Sequence, residues 1–168
     1  MCLRGHAARY TVDRVTEPIR KLKVPPGATL PRPVRFVVAA LILRQIEGAP
    51  TEVLICQRRP DQPMSLKWEF PGGKIEEGET SEAALARELN EELGIDATLG
   101  KSVARVRHRY RNGGVIDLEF FTVVSFTGEI ENRIFNDVRW ATLQSLPEYD
   151  FLAADHGLIQ DLSEGKII

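Results

Sequence analysis

Four glutamates and one arginine crowd a short stretch, Glu79, Arg87, Glu88, Glu91 and Glu92, just behind the glycines Gly72, Gly73 and Gly78. A helix turns about 100° per residue, so Glu91 falls about 60° to one side of Glu88 and Glu92 about 40° to the other. The three carboxylates then share an arc of about 100°, beside a stripe of Leu85, Leu89 and Leu93 that must be buried. At such a rim, two carboxylates ~6 Å apart repel by roughly 3 kcal/mol at an effective dielectric of about 20. Several such pairs weigh heavily against a total stability of about 5–15 kcal/mol. A divalent cation reverses the sign. Oxygen donors without clustered cysteine or histidine point to magnesium, with manganese as the alternative, rather than zinc. Glycines ahead of the cluster let the backbone turn sharply and approach a ligand without a Cβ in the way.

These side chains need a helix and a scaffold beneath it. The spacing predicts a helix from Thr80 to Leu93, capped by Thr80 or Ser81, with Glu82 near its positive end and Gly94 as its stop. Val34 to Leu43 and Glu52 to Gln57 are β-rich and read as a hairpin across the polar loop Arg44 to Pro50. Val103 to Tyr110 and Val115 to Phe126 read as strands joined through Asn112-Gly113, a pair that favours positive φ. Val138 to Thr142 reads as a short strand, Thr142 to Leu146 as a helical turn and His156 to Leu162 as a closing helix. Strands and helices interleave, so the expected class is an α/β sandwich. Four prolines between Val24 and Pro33 mark an extended connector. The expected division is residues 1–33 as N-terminal extension and connector, and 34–168 as one catalytic-sized domain.

Composition narrows the function classes. The 168 residues are 43% hydrophobic and 27% charged, the balance of a globular chain rather than a disordered one. No apolar run approaches the ~20 residues of a membrane span, and Val37 to Leu43 is only strand-sized, so no membrane partner is expected. Residues 1–33 carry seven basic against two acidic side chains, which leaves the rest of a chain of net charge −2 distinctly acidic. An acidic body is a poor generic binder of nucleic acid, so no stable nucleic-acid complex is expected. Cys2 and Cys56 form neither a disulfide framework nor a zinc spacing, and the first residues hold no secretory apolar stretch. A reducing, cytoplasmic location is the expectation. The sequence leaves monomer and homodimer open.

Gly73-x5-Glu79-x7-Arg87-Glu88-Leu89-x-Glu91-Glu92-x-Gly94-Ile95 resembles the Nudix box, with every specified position filled. The resemblance implies a Nudix α/β/α sandwich with a mixed β-sheet, and metal-dependent hydrolysis of a nucleoside diphosphate linked to another group. It implies that Glu88, Glu91 and Glu92 bind magnesium, that Gly73 adds a carbonyl ligand, that Arg87 orients the carboxylates, and that Glu79 supports the loop or the metal waters.

The similarity runs from about Val34 to Ile159. Val53 to Pro60, followed by Lys67 to Glu76, resembles the MutT branch of that family, which clears oxidised nucleoside triphosphates, and its CTP pyrophosphohydrolases. On that resemblance Arg58 and Phe70 face the base, and Lys74 faces the phosphates. Two positions depart. Where the branch reads its base with asparagine, this chain has Asp155, which when ionised accepts hydrogen bonds but cannot donate them. Many relatives place a metal-binding or base-acting glutamate six residues before the tryptophan matching Trp140; here that residue is Ile134, with Glu119 and Glu131 as possible substitutes. His108, His156, Trp68, Trp140 and Cys56 read as structural or surface residues. The expected activity is magnesium-dependent cleavage of (deoxy)nucleoside triphosphates, including oxidised ones such as 8-oxo-dGTP, to monophosphate and pyrophosphate. The alternatives are another Nudix substrate, ADP-ribose or a dinucleoside polyphosphate, and a non-catalytic nucleotide-sensing module.

Overall fold

A computed structural model describes residues 33–168. The elements run β1 (Arg35–Leu41), β2 (Leu43–Arg44), β3 (Glu52–Gln57), β4 (Trp68–Glu69), β5 (Gly72–Lys74), α1 (Ser81–Leu93), β6 (Asp96–Arg109), β7 (Val115–Thr127), β8 (Asp137–Thr142), a 3-10 turn (Leu143–Glu148) and α2 (His156–Ser163). The first sheet has the order β5-β1-β7-β6, with β1 parallel to β7 and the other pairs antiparallel. In the second, β3 pairs antiparallel with β2, β4 and β8. The mixed sheet is the one the family resemblance implies. The extension expected over 1–33 lies outside the described residues, Pro33 excepted.

Alternation along β1 and β3 builds two cores. Val38 and Ala40, with Leu54 and Cys56, face Leu85, Leu89 and Leu93 of α1. Ala39 and Leu41, with Val53 and Ile55, face Leu158, Ile159 and Leu162 of α2 on the opposite side. Side chains of a strand point alternately to opposite faces, so two apolar faces demand near-continuous hydrophobic strands, and the burial of β1 and β3 has that form. The leucine stripe of α1 is entirely buried, as its spacing predicts.

Three features differ from the sequence reading. The β-rich run 34–43 is two strands, because the chain passes from the first sheet to the second at Ile42, whose carbonyl accepts from the Leu54 amide at 3.0 Å. Only Leu43 and Arg44 form the expected hairpin with β3. Strand β6 begins at Asp96 rather than Val103, its polar first half being accommodated at irregularities in the pairing with β7. The short strands β4 and β5 were too brief, and too rich in glycine, to show a period of two.

Thr80, not Ser81, caps α1, its hydroxyl accepting from the Ala83 amide at 3.1 Å. Gly94, at φ 72°, closes the helix through its amide bond to the Asn90 carbonyl. Together these ends fix which residues of α1 face the Gly72–Gly73 segment of β5.

Candidate active site

Strand β5 sits at the sheet edge, with Gly73 opposite Val38 and Gly72 opposite Ala39. Backbone here comes too close to its neighbours for any side chain. A Cβ on Gly72 would lie 2.1 Å from the Val38 carbonyl oxygen, and one on Gly73 would lie 2.3 Å from the Glu88 carboxyl carbon. Glu88 therefore rests its carboxylate directly on Gly73. One turn further along α1, Glu92 passes beneath the loop, and its Oε2 accepts from the Gly72 amide at 2.9 Å. Two carboxylates thus converge on one dipeptide.

Their states differ. Glu92 is buried, and its pKa is pushed up to about 9, first by burial and then by the neighbouring charges of Glu88, Glu69 and Glu91; the Gly72 hydrogen bond only partly offsets this. Glu91 stays at the rim, its side chain 60% exposed, with a long 3.5 Å contact to Arg87. Arg87 is the hub: Nε and Nη2 donate to the two oxygens of Glu79 at 2.8 and 3.0 Å, Nη1 to Glu88 at 3.0 Å, and Nη2 also to the Lys74 carbonyl at 3.1 Å. Those bonds hold the Glu79 carboxyl low, at about 2, and raise the Arg87 guanidinium further above its ordinary value. Glu79 in turn accepts from the Glu76 amide at 2.9 Å, which ties the loop before α1 into a closed ring.

Among the described residues, no three His, Cys, Asp or Glu side chains are gathered tightly enough to enclose a metal ion by themselves. The three box glutamates do not meet at one point, because Arg87 draws Glu88 and Glu91 upward while Glu92 turns under to Gly72. The donor chemistry nevertheless suits a hard cation. A carboxylate abutting a glycine backbone, and a second carboxyl whose burial favours its protonated form until a cation displaces the proton, offer oxygen ligands only.

Beside this cluster opens a cavity of about 690 Å³, lined among others by Arg35, Val37, Phe70, Gly73, Lys74 and Asp155. At 3% exposure Asp155 is buried, standing where a cap for α2 would stand yet making no side-chain cap bond. Burial, then the charge of Glu69, raises its pKa to about 8. Phe70 forms part of the cavity wall while its ring packs against Phe120 and Phe151, at centroid distances of 6.1 and 5.4 Å. Arg58 also lines the cavity, but its guanidinium is engaged: Nη1 donates to both oxygens of Glu69 at 3.0 and 2.8 Å, and Nε to the Pro63 carbonyl at 2.9 Å. Lys74 is exposed at the cavity mouth.

Sequence reasoning passed over Glu69 and Met64. Glu69 influences both Glu92 and Asp155, so it links the carboxylate cluster to the cavity. Its only signal was a charged residue placed between Trp68 and Phe70. The two substitutes for Ile134 also separate. Glu119 takes a 3.2 Å hydrogen bond from Ser81 at the start of α1, seven residues and about 10 Å along the axis from Glu88. Glu131 pairs with Arg133 at the other end, where its amide bonds the Leu93 carbonyl.

The sequence matches the NUDIX domain family over residues 34–162. The chain belongs to the Nudix family. A CTP pyrophosphohydrolase of Escherichia coli (strain K12) is 36% identical over 124 residues, 74% of this chain and 87% of that one. An 8-oxo-dGTP diphosphatase of the same organism is 35% identical over 117 residues, 70% of this chain and 90% of that one. Among solved structures, one of the MutT proteins of Aliivibrio salmonicida and Vibrio cholerae superimposes with a TM-score of 0.65 at 27% identity, covering 79% of this chain and 99% of that one. Nudix hydrolases as a class generally need a divalent metal ion. No helix among the described residues is long and apolar enough to cross a membrane.

Proposed function

We propose that this Nudix chain is a pyrophosphohydrolase of nucleoside triphosphates, oxidised ones such as 8-oxo-dGTP or pyrimidine ones such as CTP, releasing monophosphate and pyrophosphate. The observation that carries the reading is the adjacency of two unlike sites. A cluster of oxygen donors from Gly73, Glu88 and Glu92, bound to the Gly72–Gly73 segment, borders a cavity of about 690 Å³ whose lining includes the buried carboxyl of Asp155. Relatives named for CTP and 8-oxo-dGTP, at 35–36% identity, favour the triphosphate over ADP-ribose or dinucleoside polyphosphates.

Magnesium, with manganese as a substitute, would be held by Glu88, Glu91, Glu92 and the Gly73 carbonyl. Bound there, such an ion neutralises phosphate oxygens and lowers the pKa of a water. The chain's own residues do the rest. Arg87 and Glu79 lock the loop against α1 and fix where Glu88 points. Lys74 meets the phosphate charge at the cavity mouth. Phe70 gives the base a flat apolar wall, and Asp155 offers its edge a hydrogen-bonding carboxyl in place of an amide. With a pKa of about 8, that carboxyl can donate as well as accept near neutral pH. Positioning and electrostatics supply most of the rate, as in phosphoryl transfer generally. A nucleotide substrate of this kind, with a single buried free cysteine among the described residues, suits a reducing cytoplasmic compartment.

A substrate panel tests the reading. CTP, dCTP, dGTP, 8-oxo-dGTP, ADP-ribose and a dinucleoside polyphosphate are incubated with magnesium or chelator, and monophosphate, pyrophosphate and orthophosphate are followed. Magnesium-dependent, equimolar monophosphate and pyrophosphate from one triphosphate is expected. Turnover of ADP-ribose alone would move the chain to another Nudix class, and tight binding without any product would make it a sensor.

A further inference from the structure

The loop between β3 and β4 contains Met64 at φ 55° and Leu66 at φ 60°, the only non-glycine residues at positive φ among the described ones. That region costs a residue with a Cβ of order 1 kcal/mol, and bulky side chains are rarely found there. Both apolar side chains are nevertheless exposed, Met64 at 44% and Leu66 at 46%. Named contacts hold the loop in this shape. Arg58 Nε donates to the Pro63 carbonyl at 2.9 Å, Gln57 Nε2 to the Leu66 carbonyl at 3.0 Å, and the Leu66 amide to the Arg58 carbonyl at 3.2 Å. Arg58 is itself braced by Glu69 on the cavity wall. The two strained residues differ in one respect: Met64 lines the 690 Å³ cavity and Leu66 does not.

We propose that Met64 covers the face of the bound base, and that Arg58 is the positioning residue that holds it over the cavity. This rests on the nucleotide reading above. An unbranched, polarisable thioether adapts to any flat aromatic ring, so the contact favours nucleotides over ribose phosphates without choosing among bases. Choice among bases is left to the edge, where Asp155 stands. Burial of an exposed apolar side chain on binding also accounts for a strained residue being held at the wall of the cavity that Phe70 lines. Strain of this kind persists where the surroundings over-determine it, and here Arg58 and Gln57 do so.

The test uses CMP and 8-oxo-dGMP as probes, titrated calorimetrically into the full chain in chelator, so that metal binding and chemistry play no part. Met64→Ala should weaken whichever monophosphate the wild type binds by about tenfold, and Met64→Leu should stay within about twofold. Leu66→Ala, matched in strain and exposure but outside the cavity, should bind like wild type. Arg58→Lys keeps a charge for Glu69 but loses the Nε donor to Pro63, and should weaken binding while ribose 5-phosphate affinity is unmoved. Thermal unfolding confirms that each variant is folded. Equal affinity of wild type and Met64→Ala would overturn the base-covering role and leave the proposed function standing. Equal losses in Met64→Ala and Leu66→Ala would overturn it too, by assigning the effect to the loop backbone. A wild type that binds neither monophosphate would instead overturn the nucleotide reading, and this inference with it.

Discussion

Replacing Glu92 by glutamine should make the metal-free protein more stable while destroying its activity. The folded carboxyl has a pKa of about 9 against an ordinary 4.5. Over that interval the folded chain retains a proton that the unfolded chain gives up, so stability is fully present below about pH 4.5 and falls as pH rises towards 9. At about pH 7.5 the interval spans about three units, which at 1.36 kcal/mol each gives a ceiling of about 4 kcal/mol. Local relaxation and water entry bring this to about 2–4 kcal/mol. Glutamine escapes the penalty, and its amide oxygen can still accept from the Gly72 amide. For a chain of this length the melting temperature should rise by about 5–15 °C. The assay is thermal unfolding of both proteins in chelator from about pH 4.5 to 9, repeated with excess magnesium. The gap should vanish at the acid end and widen with pH; magnesium should stabilise the wild type by mass action and leave the variant unmoved. A variant less stable than wild type in chelator at neutral pH would refute the assignment of a strained, proton-holding carboxyl to this site.

Two further predictions concern the neighbouring positions. Gly73→Ala should fold with little loss of stability, because its Cβ meets only the movable end of Glu88, yet turnover should fall by about 100-fold or more as that carboxylate is displaced. Gly72→Ala, by contrast, should fail to fold or lose at least about 3 kcal/mol, because its Cβ would meet the backbone of β1; melting curves with steady-state rates separate the two. For Asp155, whose carboxyl pKa burial pushes up to about 8, affinity for a monophosphate should change as pH passes through that value, since the carboxyl loses its donor proton above it. Asp155→Asn should flatten that pH dependence, and a profile unchanged by the substitution would remove Asp155 from base binding.

The chemistry of the box was legible because helical spacing is a property of one segment. Leu85, Leu89 and Leu93 declared the buried face, and Glu88 and Glu92 beside them were bound to sit at its edge. What α1 packs against was not legible, so the turn of Glu92 to the Gly72 amide, while Arg87 engages Glu88 and Glu91, appears only in three dimensions. The same limit explains the run 34–43. Val38 to Ile42 are all buried, and an unbroken hydrophobic stretch carries no mark of the residue, Ile42, where the chain changes sheets. Asp155 shows a subtler gap: it stands at the N-cap position of α2, where an Asp commonly caps a helix, yet it makes no side-chain cap bond. The Arg58–Glu69 pair joins residues eleven apart through the register of β3 and β4, two strands too short for periodicity to reveal.

The most direct test of the cation site is calorimetric titration of magnesium into the full chain holding a non-hydrolysable triphosphate analogue. Saturable heat in the wild type, with proton release as Glu92 ionises and with both signals lost in Glu92→Gln, is the predicted result. A featureless trace for the wild type up to millimolar magnesium, or the same heat from Glu92→Gln, would contradict it.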